Sequence, residues 1–284
     1  MDDYRTVNRL LWDERGPVHA VSADYGVERF VADPAHLSDV VRFDLPLLGD
    51  VSGLNGIHLQ CHIGTDTLSL HRLGAHMSGL DFSGASLAQA RQLAGRAGAD
   101  IDYRESDVYQ AAEVFQQQSF DLVFTGIGAL CWLPDICAWA RVVVELLKPG
   151  GRLFLRDSHP MWAATGDPRP DGLITLEYSY FGAAAPLVWD EPGTYVATEH
   201  EFVHTRELIW HHGLGEIVQA LIDAGIAITG LVEHQSIPWE ARPGEMTRGS
   251  DGEHRLVSRP ERLPLSYTLQ GIKQASIDNP RSSS

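Results

Sequence analysis

The segment that decides the fold reads Ile57-His58-Leu59-Gln60-Cys61-His62-Ile63-Gly64, continues through Thr65 to Leu73, and ends in His76-Met77-Ser78-Gly79-Leu80-Asp81. An apolar run, a tight turn, a helical stretch and a second apolar run closing on an acid describe a β-turn-α-β unit. The spacing predicts strand 1 over Ile57 to Cys61, a helix over Thr65 to Leu73 stopped by Gly74, and strand 2 over His76 to Asp81. In such a unit the turn lets a ligand approach the backbone, and the terminal acid bonds ribose hydroxyls. Asp81 follows Gly64 by seventeen residues, close to the offset this arrangement needs.

The same rhythm continues toward the C-terminus. Ser83 can cap a helix whose Leu87, Ala90, Ala94 and Ala97 recur at helical spacing before Gly98, and Ile101 to Glu105 reads as strand 3. Phe120 to Thr125 is apolar enough for a strand buried on both faces. Pro134 suits the first turn of a helix carrying Ile136, Trp139, Ala140, Val143 and Leu147 on one stripe. Lys148-Pro149-Gly150-Gly151 then turns the chain into strand 5, Arg152 to Arg156. Aromatic, turn-rich sequence at about 158–211 predicts a cap inserted over the sheet. Helical spacing returns over Leu214 to Ala224, and Ile226 to Val232 and Leu263 to Leu269 complete the sheet. Ahead of strand 1, Val7, Leu10 and Leu11 mark an amphipathic helix and Asp33-Pro34 opens another. The organisation expected is a helical lid over 1–50, a main domain over 51–275 and a tail over 276–284.

Composition narrows the function. The chain has 284 residues, 44% hydrophobic, and a formal net charge of −16, which disfavours a nucleic-acid partner because phosphate binding needs concentrated Lys and Arg. The acidic start Met1-Asp2-Asp3-Tyr4 reads neither as a signal peptide nor as a membrane span, so a cytoplasmic location without membrane contact is expected. Cys61, Cys131 and Cys137 suit reduced thiols rather than a disulfide framework, and no metal-ligand spacing is apparent; His58 and His62 are four apart, but on a strand and turn. The turn has a single glycine, Gly64, without the Gly-x-Gly-x-x-Gly pattern that seats a pyrophosphate, so a phosphate-free cofactor fits better than a dinucleotide.

The stretch Leu146-Leu147-Lys148-Pro149-Gly150-Gly151-Arg152-Leu153 strongly resembles the segment before strand 5 in class I S-adenosylmethionine-dependent methyltransferases. The chain resembles that family along nearly its whole length, and specifically a bacterial subgroup largely without assigned substrates. The shared phrases are Leu10-Leu11-Trp12-Asp13-Glu14-Arg15, Leu59-Gln60-Cys61-His62, Gly64-Thr65-Asp66-Thr67-Leu68-Ser69, Gly79-Leu80-Asp81-Phe82-Ser83, Gly128-Ala129-Leu130-Cys131-Trp132-Leu133-Pro134-Asp135, His159-Pro160 and Leu214-Gly215-Glu216-Ile217. The resemblance implies an α/β fold: a Rossmann-like, seven-stranded, mostly parallel sheet with an antiparallel last strand. It implies S-adenosyl-L-methionine as cofactor, near Gln60, Cys61, His62 and Gly64. Asp81 would take the ribose hydroxyls, Phe82 would pack on adenine, and Asp107 with Val108 would meet the adenine amino group. Thr125, Gly126 and Ile127 would lie beside the sulfonium.

One departure stands out. The family turn runs acid-apolar-Gly-x-Gly-x-Gly, whereas here those positions are His58 to Gly64: the acid and two glycines are replaced. Gln60 and His62 are therefore expected to contact the methionyl amino or carboxylate group, or to satisfy their own backbone. Methyl transfer from a sulfonium is a displacement in which a general base is optional. His212 and His159 are the candidate bases, with His19 and His62 behind them. Trp12, Arg15, His19, Tyr25 and Trp132 are candidates for lid or substrate contact, Arg15 through a carboxylate of the cofactor or of a substrate. The function expected is N- or O-methylation of a small, partly aromatic metabolite by a monomer or homodimer. A non-catalytic cofactor-binding protein of the same fold and, less readily, a nicotinamide oxidoreductase are the alternatives.

Overall fold

The computed structural model describes residues 3–275, so the expected tail lies outside the described residues. The helices are α1 (Tyr4–Val21), α2 (Val27–Ala32), α3 (Asp39–Leu48), α4 (Thr65–Arg72), α5 (Gly84–Arg96), α6 (Ala111–Val114), α7 (Ile136–Leu146), α8 (Pro160–Ala163) and α9 (Leu214–Ala224). The main strands are β1 (Asn55–Leu59), β2 (His76–Asp81), β3 (Asp102–Glu105), β4 (Phe120–Thr125) and β5 (Leu147–Ser158). Beyond them come β6 (Leu187–Asp190), β7 (Arg206–Ile209), β8 (Ile226–His234), β9 (Ser236–Ile237), β10 (Met246–Arg248), β11 (His254–Leu256) and β12 (Ser266–Lys273).

Seven strands form one sheet in the order β3-β2-β1-β4-β5-β12-β8. The first five run parallel, and β12 is antiparallel to both β5 and β8. This is the Rossmann-like, mostly parallel sheet with an antiparallel last strand. Central β4 is apolar because helices cover it on both sides: Leu122, Val123 and Phe124 are fully buried. On one face it packs with Trp139, Val143 and Leu146 of α7 and Leu221 of α9, and on the other with Val41 and Leu48 of α3. Each such side chain contributes roughly 1.5–3 kcal/mol on burial.

The strand order reverses between β1 and β4, and in α/β sheets such a point opens a crevice at the strands' carboxyl ends. In register, Leu59 pairs with Leu80 on one side and Thr125 on the other. Gln60, Asp81 and Gly126 consequently emerge side by side.

Several boundaries differ from expectation. Strand β1 stops at Leu59, because Gln60 turns left-handed. Lys148 to Gly151 is not a loop: it lies within β5, which already pairs Leu147 with Phe120. Pro134 precedes α7 rather than entering it, since the Asp135 side chain caps the helix by accepting from Ala138 N at 2.8 Å. At Asp33-Pro34 a helix ends instead of beginning; Asp33 is the C-cap of α2, and Ser38 caps α3. The last strand starts at Ser266, three residues after the expected Leu263.

Within the 158–211 segment β6 and β7 form an antiparallel pair, and β7 packs against α1. A second insertion, β9 to β11, forms a three-stranded sheet that periodicity did not reveal, because its strands have only two or three residues. Arg156 on β5 ties it down, pairing in the interior with Glu253 at 2.7 Å and lying 4.1 Å from the ring centre of the half-buried Phe43 on α3.

Helix α1 is wedged between α5 and the cap. Asn8 exchanges two hydrogen bonds with the Leu208 backbone, at 2.8 and 2.9 Å. Asp13 accepts from Ser83 Oγ at 2.8 Å at the start of α5. Against the effect of burial, the N–H groups of Val203 and His204 and two histidines hold Glu14 down at about 2. Gly16 permits the closest approach: a Cβ there would collide with Ser86 Oγ and lie 3.1 Å from Ser86 Cα. Gly16→Ala, which stabilises an isolated helix by roughly 1 kcal/mol, is expected here to destabilise by about 1–3 kcal/mol. Thermal melts decide the sign, and Gly16→Ala with Ser86→Gly should recover part of the loss; a higher melting temperature for Gly16→Ala alone would show that α1 is not seated so closely.

Candidate functional site

The turn leaving β1 keeps a glycine-like path without the glycines. Gln60 has φ 57°, His62 φ 51° and Gly64 φ 77°. A non-glycine residue pays roughly 1–2 kcal/mol to be left-handed, so two within three residues mark a turn whose path is imposed by its surroundings. At Gly64 no side chain fits, since a Cβ would lie 2.5 Å from Tyr103 Oη and 2.9 Å from Ala90 Cβ. Gln60 Nε2 donates to Ala129 O at 2.9 Å, while its Oε1 is buried without a partner. Cys61 is buried beneath the turn against Leu87 and Tyr103.

Asp81 holds the turn from the next strand. Its Oδ2 accepts from His62 N at 2.8 Å and its Oδ1 from Ser83 N at 2.9 Å, leaving further lone pairs on both oxygens. Burial pushes the carboxyl up to about 6, against the stabilising N–H groups of Ser83, His62 and Phe82. Beside it lies a small, partly open cavity walled by Leu80, Phe82, Val108, Trp132 and Leu133, with Gln60, Ser106 and Asp107 among its polar groups. Asp107 does two things: it caps the turn at Val108 by accepting from Tyr109 N at 2.8 Å, and it pairs with Arg5 of α1 at 2.7 Å. Tyr4 and Arg5 thus close one side of the cavity.

Over the turn stands a cluster of imidazoles and aromatic rings. His62 Nε2 and His19 Nδ1 are 3.0 Å apart, and His19 Nε2 lies 2.7 Å from Thr194 Oγ1 of the cap. Trp12 meets His62 and Trp132 edge-on, with centroids 5.1 and 5.2 Å apart, and Tyr25 stacks on His19. Burial drives His62 to about 3; burial with the neighbouring His62 and Arg15 drives His19 to about 2. Both imidazoles are neutral at physiological pH.

Residues 57–151 match the family model of a methyltransferase domain. The chain is 26% identical to an S-adenosylmethionine-dependent methyltransferase structure from Mesorhizobium loti, over 80% of this chain and 94% of that one, with a TM-score of 0.57. The chain carries a methyltransferase domain of the class I, S-adenosylmethionine-dependent type. A methyltransferase structure from Listeria monocytogenes, 16% identical over 84% of this chain and 97% of its own, shares the fold at a TM-score of 0.60. A ubiquinone biosynthesis O-methyltransferase of Xanthomonas oryzae pv. oryzae is 30% identical over 55% of this chain, and the match spans 59% of that relative's length.

The fold brings most of the expected residues to one crevice, though several have partners within the protein. Gln60, His62, Gly64, Asp81, Phe82, Asp107 and Val108 line or frame the cavity and its turn. At the end of β4, Thr125 Oγ1 is buried without a partner and Gly126 faces His58. Ile127 packs instead against the three-stranded insertion, with Ile237 and Leu265. Arg15 does find a carboxylate, but that of Glu207 in the cap at 3.1 Å, and it also donates to Gly193 O at 2.8 Å.

The two histidines expected to act as bases are both occupied. His212 Nε2 lies 2.7 Å from Leu133 O, to which it donates, and its Nδ1 is 3.3 Å from Glu216. His159 Nδ1 accepts from Met161 N at 3.0 Å as the cap of α8, and Nε2 lies 2.9 Å from Glu233. The geometry uses both rings to hold segments together.

Sequence reading passed over Asp13, Asp66 and Asp157. Asp157 accepts from Gly128 N at 2.6 Å and Leu130 N at 2.9 Å, shaping the loop after β4. The first two sit inside phrases shared with the family's subgroup, which was a usable signal, and Asp157 directly follows strand 5. Among the described residues no group of three or more His, Cys, Asp or Glu side chains could hold a metal ion, and no helix is long and apolar enough to cross a membrane.

Proposed function

We propose that the chain transfers the methyl group of S-adenosylmethionine to nitrogen or oxygen of a small, partly aromatic metabolite, in the cytoplasm, as a monomer or homodimer. The observation carrying the reading is the Asp81 carboxylate, fixed by two backbone N–H groups next to a narrow apolar cavity. The residues present suit the cofactor: a paired acceptor for two ribose hydroxyls, an apolar lining from Leu80, Phe82, Val108 and Leu133, and an unpartnered Gln60 Oε1 on the turn.

S-adenosylmethionine supplies an activated methyl group and its own leaving group, so the protein's work is alignment and exclusion of water. Trp12, Trp132, His19 and Tyr25 screen the crevice from solvent. A shallow depression beyond Leu130 and Cys131, bordered by Asp157, Pro160, Trp210 and Tyr267, marks where an acceptor would approach. Tyr267 Oη and Trp210 Nε1 are buried there without partners and can orient a polar acceptor. The relatives named for O-methylation favour oxygen as the acceptor atom.

S-adenosylhomocysteine at 100 times its dissociation constant is expected to stabilise the protein by about 2.7 kcal/mol in a thermal-shift assay, and NADH not at all. A panel of phenols and amines supplied with S-adenosylmethionine should then release S-adenosylhomocysteine. Stabilisation by NADH instead would overturn the methyltransferase reading, and cofactor binding without turnover on any acceptor would favour a binding protein.

A further inference from the structure

The methionine end of S-adenosylmethionine carries an ammonium and a carboxylate, and a cation entering a buried crevice needs an anion close by. Strand β1 does not provide one, because its acid is replaced by His58. We propose that Asp66, in the first turn of α4, supplies this anion and with His58 holds the ammonium group over Gly126. The inference rests on the cofactor reading above and assigns a binding residue within it.

Two side chains from different elements converge on one point. A Cβ placed on Gly126 would lie 3.2 Å from His58 Nε2 and 3.6 Å from Asp66 Oδ2. A side chain on Gly126 would therefore crowd the two polar tips that meet over it. His58 is 3% exposed, and Thr67 Oγ1 at 2.9 Å from its Nδ1 orients the ring. Its Nε2 is buried without a partner. Burial, and next the neighbouring His62, drive His58 to about 3, so the ring is neutral and can present a lone pair.

Asp66 is the complementary charge. Burial raises its carboxyl, opposed by the Ser38 hydroxyl and by the guanidinium of Arg156, which is itself paired with Glu253. An ammonium beside Asp66 would favour its ionised form. An ammonium group has three donors; Asp66 and His58 offer two acceptors, and Gln60 on the same turn has a buried, unpartnered Oε1. The acid missing from β1 is thus replaced in space by one eight positions later in the chain.

Calorimetric titration with S-adenosylhomocysteine and with 5′-methylthioadenosine, which has the same adenosine but no amino-acid end, tests the assignment. Asp66→Asn is expected to weaken S-adenosylhomocysteine roughly 30-fold and to leave methylthioadenosine within twofold. Asp66→Ser serves the same purpose should the asparagine variant fail to fold. Unchanged S-adenosylhomocysteine affinity, or equal losses for both ligands, would overturn the role of Asp66 while leaving the cofactor reading intact. A wild-type protein that binds neither ligand would overturn both.

Discussion

Asp81→Asn is expected to lower the affinity for S-adenosylhomocysteine by about 100-fold or more, from the loss of two hydrogen bonds to a charged acceptor. Methylthioadenosine should lose affinity in parallel, because the contacts are to the ribose. The effect extends beyond the ligand. Asp81 uses one oxygen to hold His62 N and the other to hold Ser83 N, and an amide offers only one oxygen. One buried N–H loses its acceptor, and the left-handed path of Gln60 and His62 loses an anchor. A modest drop in melting temperature should accompany the binding loss. Wild-type affinity for both ligands in a folded Asp81→Asn variant would remove the site from the crevice. In the wild-type protein the affinity should also decline below about pH 6, where the Asp81 carboxyl takes up its proton; a flat affinity between pH 7 and 5 would speak against an ionised acceptor.

His62→Gly is expected to change how stability depends on acidity. An imidazole kept neutral by burial lowers stability as pH falls, since the unfolded chain takes a proton near 6.5 that the folded chain refuses down to about 3. Each pH unit in that window costs about 1.4 kcal/mol per such group. Removing His62 should therefore stabilise the protein relative to wild type by roughly 3 kcal/mol more at pH 4 than at pH 7. At neutral pH two effects oppose each other. Glycine relieves about 1–2 kcal/mol of left-handed strain, while the contacts of the ring with Trp12 and His19 are lost. Urea denaturation at pH 7, 5 and 4 separates these effects, and stability curves that run parallel from pH 7 to 4 would refute the buried, neutral assignment.

The parallel core was legible because both of its signals are local. Apolar runs such as Phe120 to Thr125 and the stripe of Trp139, Ala140 and Val143 arise from burial against helices that follow directly in the chain. Asp81 was legible for the same reason: a strand end, a turn and an acid at the right offset need no knowledge of distant residues. The three-stranded insertion was not, because strands of two or three residues carry no periodicity. Arg15 was expected to bind a carboxylate of the cofactor or of a substrate, whereas its partner is Glu207, 192 positions away, a contact that no local pattern signals.

By itself the sequence determined the class of fold, the crevice at its switch point, and the position of the acid that faces it. It also exposed the anomaly at the turn, where Gln60 and His62 stand in place of glycines and His58 in place of an acid. Only the tertiary structure decided what those replacements do. His62 packs against α1 through His19 and Trp12, His159 and His212 are held by backbone and carboxylate partners, and His58 and Asp66 both reach toward Gly126. The physical reason is that a strand or turn is specified by neighbours in sequence, whereas the charge and hydrogen-bond partners of a buried group come from whichever elements fold against it.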